Sequence, residues 1–178
     1  MSLRPPISGR DHKQGNPSAL IELVEYGDFQ CGFCGRAYPI VKNIQGKFPD
    51  DLVFVFRHFP LSTIHSHARL AALAAEAASM QGKFWLMHDM LFENQGELHL
   101  SALTAYAGFI ELDVLCFEKD MEDEKLIEKV ESDFESGIKS GVSGTPTFFI
   151  NGEKYEGSWD ETTFSFMIKQ KIDQLVNK

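Results

Sequence analysis

A chain of 178 residues with 43% hydrophobic and 12% aromatic side chains can bury a substantial core as one domain, or one domain with a large insertion. Its net charge of -9 argues against a general phosphate-binding surface, so no nucleic-acid partner is expected; no apolar run approaches the roughly 20 residues that cross a bilayer, so no membrane insertion is expected. Three cysteines are too few for a disulfide scaffold, and Cys116 is left over if Cys31 and Cys34 are partners.

Residues 1–18 are polar and rich in Pro, Gly and Asn, and are expected to form an extended lead-in. They lack the apolar segment of a secretory signal, which fits either a cytoplasmic protein or an extracytoplasmic one whose signal has been removed. Residues 19–26 (ALIELVEY) read as a strand, apolar on both faces as in the centre of a covered sheet. From Cys34 to Phe48 the period becomes helical, with Tyr38, Val41, Ile44 and Phe48 at spacings of three or four. Pro39 lies inside that pattern and should kink the helix, because it lacks a backbone donor. Residues 52–57 (LVFVFR) supply a second strand, giving a strand, helix, strand unit with a right-handed crossover.

Residues 65–140 read as helix almost throughout, with breaks at Gly82, around Gly96 and near 108–113, so a helical insertion of four or five helices is expected. Ile127, Val130, Phe134 and Ile138 mark one face of its last helix, and Cys116 fits a small buried residue on a helix face. The sheet pattern returns at 147–150 (TFFI), followed by an Asn151-Gly152 turn and 153–155, a strong hairpin signal. Residues 158–161 (SWDE) resemble a capping box, and Phe164, Met167, Ile168, Ile172 and Leu175 line a final amphipathic helix. The order β-α-β, helical block, β-β-α implies an α/β fold, a mixed sheet with helices on both faces. Residues 19–64 and 141–178 would form the core, and 65–140 the insertion.

Chemistry is concentrated in FQCGFCG (29–35). Cys31 should sit at the first turn of the helix, where unpaired amides and the helix dipole favour an anion. A free thiol titrates near 8.5 and sites of this kind fall to about 3.5 to 7.5, so Cys31 would be largely ionised at neutral pH and act as nucleophile. Cys34, one turn later, is within disulfide reach and should point inward, ready to resolve a mixed disulfide. Glu25 shares the strand face of Ile21 and Leu23; partly desolvated there, with a raised pKa, it could accept the proton of Cys34.

These residues resemble the thioredoxin superfamily, and within it the DsbA-like thiol-disulfide oxidoreductases, whose thioredoxin fold is split by a helical insertion. The resemblance runs from about Ala19 to Leu175. It rests on Glu25 six positions before the first cysteine, the CGFC motif, Pro39 five positions after the second, and Gly144-Thr145-Pro146-Thr147 before a strand and hairpin. It implies that Pro146 is cis and stands beside the cysteine pair, and that Thr145 offers backbone groups to an extended substrate. Gly32 and Phe33, between the cysteines, are the further candidate substrate contacts. The dipeptide lacks the histidine that helps make DsbA a strong oxidant, and Arg36 is the only nearby cation in sequence, which implies a potential closer to thioredoxin or a glutaredoxin.

The implied activity is thiol-disulfide exchange with protein or peptide substrates by a monomer that uses no cofactor and is recharged by a redox partner. Two other readings compete. A lone CxxC can be half of a structural zinc site, with His65 and His67 as candidate further ligands in a non-catalytic binding module. Thioredoxin-like folds with helical insertions also serve glutathione-linked enzymes. His58 and His88 are read as partly buried residues making local hydrogen bonds.

Overall fold

The computed structural model of the chain describes residues 1–177. Its first strand, β1 (His12–Gly15), lies inside the expected lead-in. HKQG carries no apolar residue to announce a strand; it forms because an edge is free, pairing antiparallel with the second strand of the core from His12 opposite Phe56 to Gly15 opposite Val53. The rest of the lead-in is also anchored rather than loose. Leu3 is buried and its amide donates to the Gly152 carbonyl (2.8 Å), and the buried Arg57 guanidinium donates to Asp11 (2.7 and 3.2 Å) and to the carbonyls of Pro5 and Pro6.

The strand, helix, strand unit consists of β2 (Ile21–Gly27), α1 (Gly32–Lys47) and β3 (Leu52–His58), the two strands parallel from Ile21 opposite Leu52 to Gly27 opposite His58. Helix α1 runs across Pro39 as one element. Five helices follow: α2 (Ala68–Ser79), α3 (Phe84–Glu93), α4 (Leu100–Phe109), α5 (Val114–Asp120) and α6 (Glu124–Lys139). The chain then returns to the sheet with β4 (Thr147–Ile150), antiparallel to β2, and β5 (Glu153–Lys154), and closes on α7 (Glu161–Val176). The sheet order is β1-β3-β2-β4-β5, so β2, the strand that feeds the cysteines, is central.

Alternation along β2 and β3 divides the core. Ile21, Leu23, Phe54 and Phe56 face α1, α3 and α7, together with Phe29, Val41, Ile44, Met87, Phe148 and Phe164. Val24, Tyr26 and Val55 face the other way, against Phe59, Val142, Phe149 and Leu3.

Three expectations are corrected by packing. Cys116 is exposed: Asp113 caps α5 by accepting from the Cys116 amide (3.0 Å), and Phe117, one residue on, takes the buried position. Ile138 is 56% exposed because α6 turns Asp133 and Gly137 inward; a Cβ on Gly137 would lie 2.6 Å from the Phe59 ring, so the close approach there belongs to glycine. The cap of α7 is Asp160, which accepts from the Thr163 amide (3.0 Å), and Ser158 instead receives the Asp160 amide.

Candidate active site

The turn that delivers Cys31 is built around Asp28, which is 2% exposed. Its carboxylate accepts from the Gln30 amide (2.8 Å), the Leu61 amide (2.9 Å) and His65 Nδ1 (2.7 Å), and its carbonyl accepts from the Cys31 amide (3.1 Å). The turn is thereby fixed on the loop that follows β3, and α1 starts at one place. Cys31 is the residue before the helix, with extended backbone angles (φ -73°, ψ 120°) and no side-chain cap bond of its own. Its carbonyl accepts the first helical bond, from the Gly35 amide (3.0 Å).

The two thiols are displaced in opposite directions. Cys31 is lowered from about 9 to about 5, chiefly by the hydrogen bond from the Cys34 thiol, with further help from the Thr145 side chain and the backbone amides of Cys34 and Phe33; partial burial works against this. The Thr145 hydroxyl is buried and without a partner while Cys31 is a thiol, which leaves it free to donate to the thiolate. The Cys31 thiol itself donates to the Thr145 carbonyl (3.4 Å). Cys34 is fully buried and pushed well above its ordinary value, first by burial and then by the Cys31 thiol and the Glu25 charge.

Glu25 lies on the sheet face of Ile21 and Leu23, pointing at the cysteines, and is 2% exposed with one carboxyl oxygen lacking any partner. Burial, and secondarily the Cys31 charge, raises it from 4.5 to about 8. Thr145 and Pro146 lie immediately before β4, half-buried, joined by a cis peptide. Gly32 is exposed and Phe33 is 56% exposed, so the residues between the cysteines form the outer surface of the site. Arg36 does not reach toward Cys31 as a counter-charge; its guanidinium lies over the Phe33 ring, 4.2 Å from the centroid. Beside it, Arg36, Pro39 and Ile40 of α1 and Trp159 before α7 line an open groove of about 660 Å³.

The histidines have other duties. His65 serves Asp28, and His67 Nδ1 lies 3.3 Å from the Ser66 hydroxyl. His88 is buried in a cluster of rings that includes Phe29, Phe56 and Phe92. His58 and His12 both bond the same oxygen of the buried Glu76 (2.8 Å each). His58, Glu76 and Asp133 are close enough together to hold a cation, but that place is served by Lys129, whose ammonium is 2.6 Å from Asp133 and 3.9 Å from Glu76. Sequence reasoning missed Asp28 and Gln95, the latter a residue of the α3–α4 loop whose carboxamide reaches the active-site turn. Aspartate three residues before a helix-opening cysteine is a readable turn signal; nothing local marks Gln95.

A family model described as thioredoxin matches residues 8–170. Among solved structures, the chain is similar to a thioredoxin-like oxidoreductase from Silicibacter pomeroyi DSS-3 (TM-score 0.83, 24% identity, 96% of this chain and 95% of that one). It is similar to BdbD from Bacillus subtilis in its oxidised form (TM-score 0.83, 24% identity, 92% and 94%) and to alpha-DsbA1 from Wolbachia pipientis (TM-score 0.83, 22% identity, 95% and 96%). Curated relatives include the Na(+)/H(+) antiporter NhaA 1 of Salinispora arenicola, 43% identical over 151 residues that cover 85% of this chain and 23% of that protein. Another is the Na(+)/H(+) antiporter NhaA of Herminiimonas arsenicoxydans, 39% identical over 170 residues covering 95% and 27%. The chain thus spans about a quarter of the length of the curated relatives it matches.

Proposed function

The chain belongs to the thioredoxin family, with the fold of its DsbA-like thiol-disulfide oxidoreductases, and on that premise we propose that it exchanges a Cys31-Cys34 dithiol or disulfide with cysteines of protein substrates. The observation that carries this reading is the opposite displacement of the two thiols, one acidic at the helix start and one held protonated behind it. In the reducing direction the Cys31 thiolate attacks a substrate disulfide, forming a mixed disulfide and expelling one substrate thiolate. Cys34 then gives its proton to Glu25 and attacks the Cys31 sulfur, releasing the second substrate thiolate and leaving a Cys31-Cys34 disulfide. Two electrons pass to the substrate, and the reverse sequence oxidises a dithiol.

Glu25 is timed for this. Once Cys31 is bound in the mixed disulfide its charge is gone, one of the two causes that raise the Glu25 carboxyl disappears, and the carboxylate needed to receive the Cys34 proton forms more readily. Thr145, Pro146, Gly32 and Phe33 are the substrate contacts in this reading, and the groove at Pro39, Ile40 and Trp159 receives apolar side chains of the substrate. Residues 65–140 act as a lid-like insertion on a core of 19–64 and 141–178, and a separate redox partner recharges the pair. Proton antiport, the activity in the names of the longer relatives, is not assigned to this chain, which spans about a quarter of their length.

The test is substitution of each cysteine. Cys31→Ser should abolish insulin reduction and thiol oxidation alike, while Cys34→Ser should accumulate mixed disulfides visible on a non-reducing gel. Normal exchange rates in Cys31→Ser would end the proposal.

A further inference from the structure

We propose that Gln95 is a positioning residue of the thiol exchange, holding the Phe29–Cys31 turn so that the first amides of α1 face the Cys31 sulfur. The inference rests on the oxidoreductase reading above. The Gln95 amide nitrogen donates to the Phe29 carbonyl (2.8 Å) and to the Cys31 carbonyl (2.9 Å). Two carbonyl oxygens can be served together only by the NH2 side of the carboxamide, so its orientation is settled by its partners. The other side packs on Gly35: a Cβ there would collide with Gln95 Oε1, so the glycine that follows Cys34 makes room for this side chain.

Gln95 is itself held firmly. The Asn94 side chain donates to the Met90 carbonyl (2.8 Å), the Glu97 amide to the Asn94 carbonyl (3.0 Å), and the Tyr106 hydroxyl to the Glu97 carbonyl (2.9 Å). The loop between α3 and α4 is therefore a braced arm that carries one carboxamide onto the active-site turn. Asp28 fixes the same turn through amides on the side of the loop after β3; Gln95 fixes it through carbonyls on the side of the helical insertion. With Cys31 lacking a side-chain cap, these two external supports hold the junction where the helix begins. The Cys31 carbonyl accepts from both Gly35 and Gln95, so releasing Gln95 frees the first turn of α1 to fray and weakens the Phe33 and Cys34 amides as partners of the thiolate. The other groups that face Cys31 are Cys34, Thr145 and Glu25, and none of them is touched by this change.

The experiment compares reduced wild type, Gln95→Ala, Gly35→Ala and the double variant, following thiolate absorbance against pH and the rate of reaction with oxidised glutathione as the disulfide probe. Gln95→Ala should raise the Cys31 midpoint by about one unit, a tenfold change in ionisation constant. Gly35→Ala should do the same, because its methyl group evicts Gln95. In the double variant the two shifts should not add, since the methyl group then enters vacated space. A merely structural glutamine would lower stability without moving the thiolate midpoint, and additive shifts would show that Gly35 and Gln95 act separately; either result overturns the proposal. Gly35→Ala keeps the test decisive if Gln95→Ala does not fold. Failure of the oxidoreductase reading would be seen separately, as a wild-type Cys31 that titrates like an ordinary thiol and does not react.

Discussion

Replacing Glu25 by glutamine should stabilise the protein, by an amount that grows with pH. The carboxyl titrates at about 8 when folded, against 4.5 as an ordinary glutamate, so the folded state binds the extra proton between those values. The stability of the wild type is then undiminished by this group below about pH 4.5 and is lost progressively as pH rises through 8, at about 1.4 kcal/mol per pH unit. The penalty reaches about 3 kcal/mol at about pH 7 and levels off at about 5 kcal/mol above about pH 8. The carboxamide of Glu25→Gln never ionises and escapes it. It does bring an unpaired donor into a place where one carboxyl oxygen already lacks a partner, but that cost is independent of pH. The slope of the difference, not its absolute value, is therefore the measurement. Guanidinium unfolding of both proteins across the range would give it, with the oxidised and reduced forms compared. Oxidation removes the Cys31 charge and should narrow the window from its upper end. A difference that stays flat with pH would refute the burial argument for Glu25, and with it the proton-acceptor role. Slowed resolution of mixed disulfides by the same variant is the matching kinetic expectation.

Cys34→Ala should raise the Cys31 thiolate midpoint above about 5, because the Cys34 thiol is the largest lowering influence, whereas Cys34→Ser, which keeps a donor, should raise it less; ultraviolet titration of the thiolate distinguishes them. Cys31→Ser should reverse sign with pH in the reduced protein. In acid, where the thiol is neutral folded and unfolded, serine at the helix cap should add about 1 kcal/mol, and above the folded pKa of Cys31 the lost thiolate stabilisation should erase that gain in denaturant titrations. Glu76→Gln should cost about 3 to 5 kcal/mol at neutral pH, because it removes the buried negative charge that His12, His58 and Lys129 surround and leaves them a neutral amide. Hydrogen bonds from those two histidines hold the Glu76 carboxyl well below its ordinary value, so the stability it contributes is fully present above about pH 4.5 and is lost progressively as pH falls below that; the gap between variant and wild type in urea unfolding should narrow over the same range.

What could be read from the chain alone was whatever depends on neighbours in sequence. The central strand, the helix after it and the final hairpin announce themselves by period and by the Asn151-Gly152 turn, and a cysteine at a helix start is acidic for local reasons. The features that escaped depend on partners far along the chain. Strand β1 exists because the edge of β3 accepts it, not because HKQG prefers to be extended. Cys116 is exposed because its helix is short and Asp113 fixes where it begins, which puts Phe117 on the inner face. Arg36 could be counted as the nearest cation in sequence, yet its guanidinium is placed over the neighbouring Phe33 ring. Gln95 acts across 64 residues, on carbonyls that no pattern distinguishes.

The places where local rules fail lie together. Cys31 occupies a cap position that Ser, Asp or Asn would fill more stably, Glu25 is an acid buried without full hydrogen bonding, and Cys34 is a thiol packed where its ionisation is heavily opposed. Each choice costs stability if taken singly, and together they create a gradient of proton affinity over the three residues to which the proposed exchange assigns the proton and the sulfur bond. A core of this size can carry that cost: the two faces of the sheet are filled by Phe54, Phe56, Phe148 and Phe164 on one side and Tyr26, Phe59 and Phe149 on the other. The aromatic content that first marked the chain as well able to fold is thus what permits a strained acid and two unequal thiols at its centre.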